Sequence, residues 1–369
     1  MINKKSKFYS LDKILETNSQ YNIIIGERSN GKTYAALKKS LYDYCKYGYE
    51  LAIIRRWGED FKGKRGQQMF AALVSDGLVE EFTEGEWTGI SYYASKWYLN
   101  RRDEETEKII KSDEPFAYGF SLASMEHDKS TSFPKVRNIV FDEFLSRQKY
   151  LPDEFVLFMN VLSTIIRQRD DVKIFMLGNT VTKYCPYFAE MGLKHVKEMK
   201  QGTIDVYQYG ESGLQVAVEY CVANKQGKKS DIYFAFDNPK LNMITGGAWE
   251  MEIYPHLPMK YKPKNILFTY FILFDTELLQ CEIILIDDIL FTYIHRKTSE
   301  LKERDTDIIF SPTTTHKQNW YRNIARPMNK ICKEILRFYV SDRVFYQDNE
   351  IGEIVRNYFI WCGAEGYVK

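Results

Sequence analysis

Residues 21–33 read YNIIIGERSNGKT, and the reading of the fold starts here. Tyr21 to Ile25 is a short run, apolar except for Asn22 and without strict polar alternation, the pattern of a strand buried on both faces. It runs directly into Gly26–Thr33, GERSNGKT, a complete match to G-x-x-x-x-G-K-[ST]. Tyr34 to Tyr47 then reads as a helix, with Ala35, Ala36 and Leu37 near its start and Gly48 at its end. In this order each residue type has a physical task. Gly26 and Gly31 let the backbone turn so that successive N–H groups face phosphate oxygens, and the helix N-terminus adds partial positive charge. Lys32 reaches the β- and γ-phosphates of ATP, and the Thr33 hydroxyl is a ligand for Mg2+. Arg28 places one more cation on the loop.

The second anchor is Asn138–Phe144, NIVFDEF. An apolar run closes on two acids. In a phosphate-loop enzyme, Asp142 at the end of such a strand holds Mg2+ through water, opposite Thr33. Glu143 is then placed to orient and activate the attacking water. A helical stretch follows from Pro152, with Phe155, Phe158, Leu162, Ile165 and Ile166 on one face. Val172 to Leu177 reads as another buried strand, ending at Gly178, Asn179 and Thr180. A polar residue at that carboxyl end lies where open α/β sheets bind ligands. Asn179 is therefore a candidate to sense the γ-phosphate or the lytic water, and Gly178-Asn179 also reads as a simple turn.

Cations near these anchors have two readings each. In IIRQRDDV, Arg167 and Arg169 follow the apolar helix face. In a ring-shaped ATPase a neighbouring subunit inserts a cation at the γ-phosphate, whereas basic residues also favour a solvated helix end. Spacing does not choose between Arg167 and Arg169. Lys129, in MEHDKSTSFP, has the same status. Arg55 and Arg56 close the strand Leu51–Ile54 and, with Lys62, Lys64 and Arg65, form a local basic patch. Such a patch suits contact with a phosphate backbone, or is a solvated loop.

The chain has 369 residues, enough for about two domains. Lys plus Arg is 51 against 50 for Asp plus Glu, a net charge of +1. That excludes a uniformly basic nucleic-acid coat and an acidic solvating protein, and leaves room for a local basic groove. Six cysteines without a CxxC pair support neither a zinc site nor a disulfide framework. The five histidines lack ligand spacing, and no nucleophile elbow is present. The opening MINKKSKFYSLDKILE is charged and lacks an apolar segment, and the run Ile266–Phe274 is too short to span a bilayer. The expectation is a protein that is neither secreted nor in a membrane.

From Met199 to Lys229 the sequence is polar and punctuated by Gly202, Gly210, Gly213 and Gly227, and its short apolar alternations at Ile204–Val206 and Leu214–Val218 suggest a small connector, either β-rich or helical. Strands resume at IYFAF (232–236), Ile266–Phe274 and Cys281–Ile286. The stretch from Tyr321 looks helical and carries Arg322, Arg326, Lys330, Lys333, Arg337 and Arg343. Strands ending in acids invite a nuclease reading, which needs three or four convergent carboxylates. Asp275 and Glu282 could start such a site, the remaining ligands are not evident, and Asp275 to Glu277 also reads as a hairpin turn.

Taken in order, GERSNGKT, LAIIRRW, NIVFDEF, IIRQRDDV and IFMLGNTVTKYCPYF resemble the double-stranded DNA packaging ATPases of phi29-like tailed phages, relatives of the large terminases. The resemblance covers roughly the first half of the chain. One position departs from it: Cys185 stands before Pro-Tyr-Phe where the family pattern has Asn. The resemblance implies that Arg28, Lys32, Thr33 and Asp142 handle ATP and Mg2+, that Glu143 activates water and that Asn179 couples hydrolysis to motion. It also implies that Arg167 acts in trans, with Lys129 as a second trans-acting cation.

The implied fold is an α/β P-loop NTPase of the additional-strand (ASCE) type with a parallel central sheet, over residues 1–200. A connector (201–230) and a smaller α+β, RNase H-like, catalytically inactive domain (231–369) that contacts DNA or the portal would follow. The implied function is an ATP-hydrolysing ring motor, a pentamer, that drives double-stranded DNA into a preformed capsid. It would work in the host cytoplasm, docked on the prohead portal, with a structural packaging RNA as a further partner. Competing readings are a terminase that also cuts DNA with metal ions, an ATP-gated nucleic-acid-binding protein that does not translocate, and a small-substrate kinase.

Overall fold

The computed structural model describes residues 9–127, 132–148, 150–180, 182–222, 249, 252–302, 306–313 and 317–367. The chain divides into two units: residues 1–146 with 151–249, and residues 147–150 with 250–369.

The first unit is built on a ten-stranded sheet. Its strands are β1 (Tyr21–Gly26), β2 (Glu50–Arg55), β3 (Gly89–Tyr93), β4 (Lys96–Arg102), β5 (Ile109–Lys111), β6 (Ala117–Ser121), β7 (Val136–Asp142), β8 (Lys173–Asn179), β9 (Ile204–Tyr209) and β10 (Leu214–Tyr220). Their spatial order is β3-β4-β6-β2-β7-β8-β1-β10-β9, with β5 paired to β4. The six central strands, β6 to β10 in that order, are all parallel. Ile23, Ile24, Ile25, Leu51, Ala52 and Ile54 are buried, as continuous apolar runs in a sheet covered on both faces must be. Strand β8 lies between β1 and β7, which is the additional strand of the expected class.

Side chains alternate across the sheet, so each strand feeds two cores. On one face Val140 and Phe175 join Leu37, Leu41, Phe70, Trp97 and Phe116. On the other, Phe141 packs against Phe158 with the rings tilted by 31° at 5.0 Å and meets the Tyr187 ring edge-on at 5.6 Å. Helix α1 (Lys32–Tyr47) covers the first face and ends at Gly48, whose φ of 71° is the left-handed C-cap that glycine adopts without strain. Helix α2 (Glu154–Ile166) contributes Phe158 and Leu162 to the second.

Two expectations are corrected here. The connector expected at 201–230 begins as sheet: β10 pairs in parallel with β1, Tyr21 opposite Val216 and Ile25 opposite Tyr220, and β9 folds back on β10. The reason is that the far edge of β1 needs a partner for its backbone groups, and the alternating run around Val216 and Val218 supplies it. Residues 223–230 and the IYFAF strand lie outside the described residues. In addition, residues 147–150, expected in the first domain, group with the second unit: Arg147 pairs with Glu353 at 2.6 Å and its carbonyl accepts from Arg356 at 2.9 Å.

The second unit holds a six-stranded sheet: β11 (Ile266–Phe274), β12 (Glu277–Ile286), β13 (Ile289–Arg296), β14 (Ile308–Phe310), β15 (Trp320–Tyr321) and β16 (Val344–Tyr346). The order is β15-β14-β11-β12-β13-β16. β11 to β13 form an antiparallel meander, while β14 joins β11, β15 joins β14 and β16 joins β13 in parallel. The helical stretch expected from Tyr321 resolves into α3 (Lys330–Val340) and α4 (Asn349–Trp361). Asn329 and Asp348 cap them, each side chain accepting from a backbone N–H of the first turn. Tyr339 bonds Tyr270 at 3.0 Å, and Trp361 packs edge-on against Phe274 at 5.0 Å.

Candidate nucleotide site

The site forms where parallel strands β1, β7 and β8 end together. Their register sets Gly26 beside Asn179 and Asp142 beside Leu177, so the loop after β1, the acids after β7 and the amide after β8 converge. Gly31, with φ of 95°, starts α1 in a conformation that disfavours any side chain. The loop thereby turns from strand into helix between Gly26 and Lys32.

Within this crevice Lys32 is 5 % exposed. Its ammonium donates to the Glu27 carbonyl at 2.7 Å, the Gly26 carbonyl at 3.3 Å, Asn30 Oδ1 at 3.2 Å and Asn179 Oδ1 at 3.3 Å. Burial lowers its pKa below the usual lysine value, and the nearby Asp142 and Glu27 charges offset only part of that. Thr33 donates to Asp142 Oδ1 at 3.1 Å. Asp142 is itself buried, which pushes its carboxyl pKa up against the opposing pull of Arg55. Thr33 and Asp142 present hard oxygen ligands side by side, a donor set that fits Mg2+ and not a thiophilic metal. Arg28 is exposed on the loop.

Glu143 follows Asp142 with φ of 59°, a left-handed conformation uncommon for a side-chain-bearing residue and a mark of functional turns. Its carboxylate is largely exposed and pairs with Arg55 at 2.9 Å, while the other arm of Arg55 holds Asp142 at 2.7 Å. Arg56 is buried and turned inward, forked onto Glu154 at 2.7 and 2.8 Å. Both arginines therefore leave the basic patch expected with Lys62, Lys64 and Arg65. The last three are exposed, and Lys62 and Arg65 face Glu59 and Asp60. A signal for Arg55 existed: the runs LAII and NIVF both end in paired charges, of opposite sign, and as parallel neighbours they end on the same side.

Of the candidate trans-acting cations, Arg167 is exposed at the C-cap of α2. Arg169 is committed elsewhere: its guanidinium donates to the carbonyls of Ile165, Ile166, Phe133, Pro134 and Val136. Both residues precede β8, whose seven residues separate them from Asn179 by about 20 Å of strand. Lys129 lies outside the described residues. In the second unit, Asp275 sits in the two-residue turn between β11 and β12, with φ of 56°. Glu282 lies five residues into β12 from Glu277, about 17 Å along the strand, and is bonded by Tyr261 and Gln280. The two acids do not converge.

An additional-strand sheet, a complete phosphate loop and a Thr–Asp pair at the strand ends define the class: this is a P-loop nucleotide-binding fold of the ASCE type. The chain belongs to the Podovirus DNA encapsidation protein (Gp16) family, whose model matches residues 3–209. It is 27% identical over 190 residues to the DNA packaging proteins of Bacillus phages phi29 and PZA, and 26% identical over 187 residues to that of Bacillus phage B103. Each match covers 50% of this chain and 50% of the relative, so the chain spans about half the length of the curated relatives it matches. Solved structures share the fold across nearly the whole chain. That of the bacteriophage Phi-29 viral genome packaging motor assembly has a TM-score of 0.56 at 18% identity and covers 95% of this chain and 97% of that one. That of the Phi-28 gp11 DNA packaging motor has a TM-score of 0.54 at 19% identity, with 98% of both chains covered.

Proposed function

We propose that this protein is an ATP-hydrolysing ring motor that translocates double-stranded DNA into a preformed capsid. The observation that carries the reading is the meeting of Thr33 with Asp142 at 3.1 Å, beside Lys32 and Asn179, at the ends of three parallel strands. Lys32 would take the β- and γ-phosphates, with Arg28 and the loop amides between Gly26 and Gly31 around them. Thr33 and Asp142 would hold Mg2+, which neutralises charge developing on the phosphates. Glu143 would orient and deprotonate the attacking water. Asn179, already bonded to Lys32, would exchange that contact for the γ-phosphate and so report its loss.

Arg167 would act on the neighbouring subunit's nucleotide. Its exposure, and its place at the far end of β8 from its own phosphate loop, support action in trans. The commitment of Arg169 to five carbonyls supports Arg167 as the acting residue. Lys129 is proposed as a second trans-acting cation from the resemblance alone. A pentameric ring, a portal on the prohead, a packaging RNA and a place in the host cytoplasm belong to the same proposal. No helix among the described residues is long and apolar enough to cross a membrane.

The second unit is proposed as an RNase H-like domain without nuclease activity. The sheet order β15-β14-β11-β12-β13 supports the fold, and the separation of Asp275 from Glu282 supports the lack of activity. Stimulation of ATP turnover by duplex DNA tests the motor, and no stimulation at any duplex length would overturn it. Metal-dependent plasmid cleavage abolished by Asp275→Ala would overturn the inactive-domain reading.

A further inference from the structure

We propose that Arg56 and Glu154 are positioning residues for Glu143, acting through its backbone. The inference rests on the hydrolytic reading of the site. Arg56 donates to the Glu143 carbonyl at 3.4 Å and to the Phe144 carbonyl at 2.8 Å. Its own orientation is fixed by Glu154, which takes its Nε at 2.7 Å and its Nη2 at 2.8 Å. Glu154 has no exposed side-chain surface and Arg56 is 7 % exposed, so this pair meets neither a nucleic-acid backbone nor solvent. The remaining capacity of Glu154 goes to the Leu151 amide at 2.8 Å and the Tyr187 hydroxyl at 2.9 Å.

These bonds tie three segments to the turn that carries Glu143: the end of β2, the start of α2, and the Pro186–Glu190 helix that follows Asn179. The turn needs such restraint. A carboxylate-bearing residue at φ of 59° relaxes toward the right-handed region unless its surroundings hold it. A side chain set by rotamer and backbone at that turn moves with it. A forked guanidinium on two successive carbonyls fixes direction in a way a lysine ammonium cannot reproduce. The charge pair is thus arranged around the peptide groups of Glu143 and Phe144, not around a ligand.

The test uses the full chain in two variants. Arg56→Lys keeps the charge opposite Glu154 and loses the fork. Arg56→Met/Glu154→Leu removes both charges together, which leaves no buried ion unpaired. Melting, ATP affinity, steady-state turnover and amide exchange at Glu143 and Phe144 are measured on each and on the wild type. The expected result is a kcat lowered about 10- to 100-fold, as for a reacting group displaced by about 1 Å. Kd and KM for ATP stay within about twofold, the pattern of an interaction that matters only on the way to the transition state. Exchange at Glu143 and Phe144 accelerates in both variants. Unchanged kcat in folded variants overturns the inference, as does a parallel loss of ATP affinity, which would make the pair merely structural. A wild-type protein that binds ATP without turning it over overturns the hydrolytic reading and this inference with it.

Discussion

The Arg169 guanidinium donates to the Val136 carbonyl at 2.5 Å, fastening the loop after α2 to the first residue of β7. The same group reaches Phe133, Pro134, Ile165 and Ile166, so Arg169 organises the amino-terminal edge of the sheet. Arg169→Ala is expected to cost about 2 kcal/mol, as the loss of charged hydrogen bonds does, and to lower Tm by a few degrees. Thermal melting followed by circular dichroism checks this. Arg167→Ala is expected to behave differently: isolated subunits bind ATP normally, and turnover is lost in the assembled protein. Partial recovery on mixing with a Glu143→Gln subunit marks action in trans, and full turnover of Arg167→Ala in assemblies refutes it.

Glu143→Gln is expected to retain ATP binding and to lose turnover by at least about 100-fold, the usual range for removing a positioned general base. Equilibrium nucleotide titration beside a phosphate-release assay separates the two properties. Full activity in this variant would remove Glu143 from the chemistry.

Gly178→Ala is expected to destabilise the first unit by about 1–3 kcal/mol, the cost of overpacking a filled core. An added Cβ would lie 2.7 Å from Leu145 Cδ1 and 2.8 Å from Phe144 Cε1. Since these side chains follow Glu143, turnover should fall as well. Urea midpoints and turnover on one preparation test both effects.

In the second unit, His295 and Glu282 pair at 3.5 Å. The bond to Glu282 raises the His295 pKa above 6.5, against burial. Burial pushes Glu282 up, but bonds from His295, Tyr261 and Gln280 outweigh it and hold its pKa below 4.5. The histidine contribution is complete below 6.5 and lost as pH rises through its folded value. The glutamate contribution is complete above 4.5 and lost as pH falls through its folded value. Stability from the pair is therefore fullest between about pH 4.5 and 6.5, and worth about 1 kcal/mol or less. Melting curves across pH 4 to 8 should show an alkaline decline that His295→Gln flattens. An identical profile in the variant would refute it.

Much of the candidate site was readable because each of its strands carries an unbroken apolar stretch, Ile23–Ile25, Ile139–Phe141 and Ile174–Leu177, that runs into the loop bearing its polar residues. β1, β7 and β8 announce themselves in this way, and Ile266–Phe274 was legible residue for residue. The strands β3 to β5 were not, because their residues are mixed: β4 buries only Trp97 and Leu99, β3 is half-buried and β5 is exposed throughout. β9 and β10 were legible only as short alternations at Ile204–Val206 and Leu214–Val218 within a connector, because Gly210 and Gly213 between them look like linker composition. Arg55 and Arg56 were misread because adjacent cations near glycines and lysines resemble a surface patch. Whether a strand-end arginine turns inward depends on which strand lies beside it, and that is set by sheet order. The commitment of Arg169 was likewise hidden, since the backbone carbonyls that claim it come from segments distant in sequence as well as from its own helix.

The pairing of β10 with β1 has a consequence for biosynthesis. The Cys221 thiol, one residue past β10, donates to the Ile25 carbonyl at 2.9 Å and accepts from the Asn30 amide at 3.3 Å. A nascent chain therefore carries its phosphate loop for some 190 residues before the support beneath it emerges from the ribosome, about 10–40 s at bacterial elongation rates. A fragment cut at residue 200 would keep Lys32, Thr33, Asp142, Glu143 and Asn179 and still expose the naked flank of β1, an invitation to aggregate. Truncations meant to isolate this half of the molecule should run past Cys221.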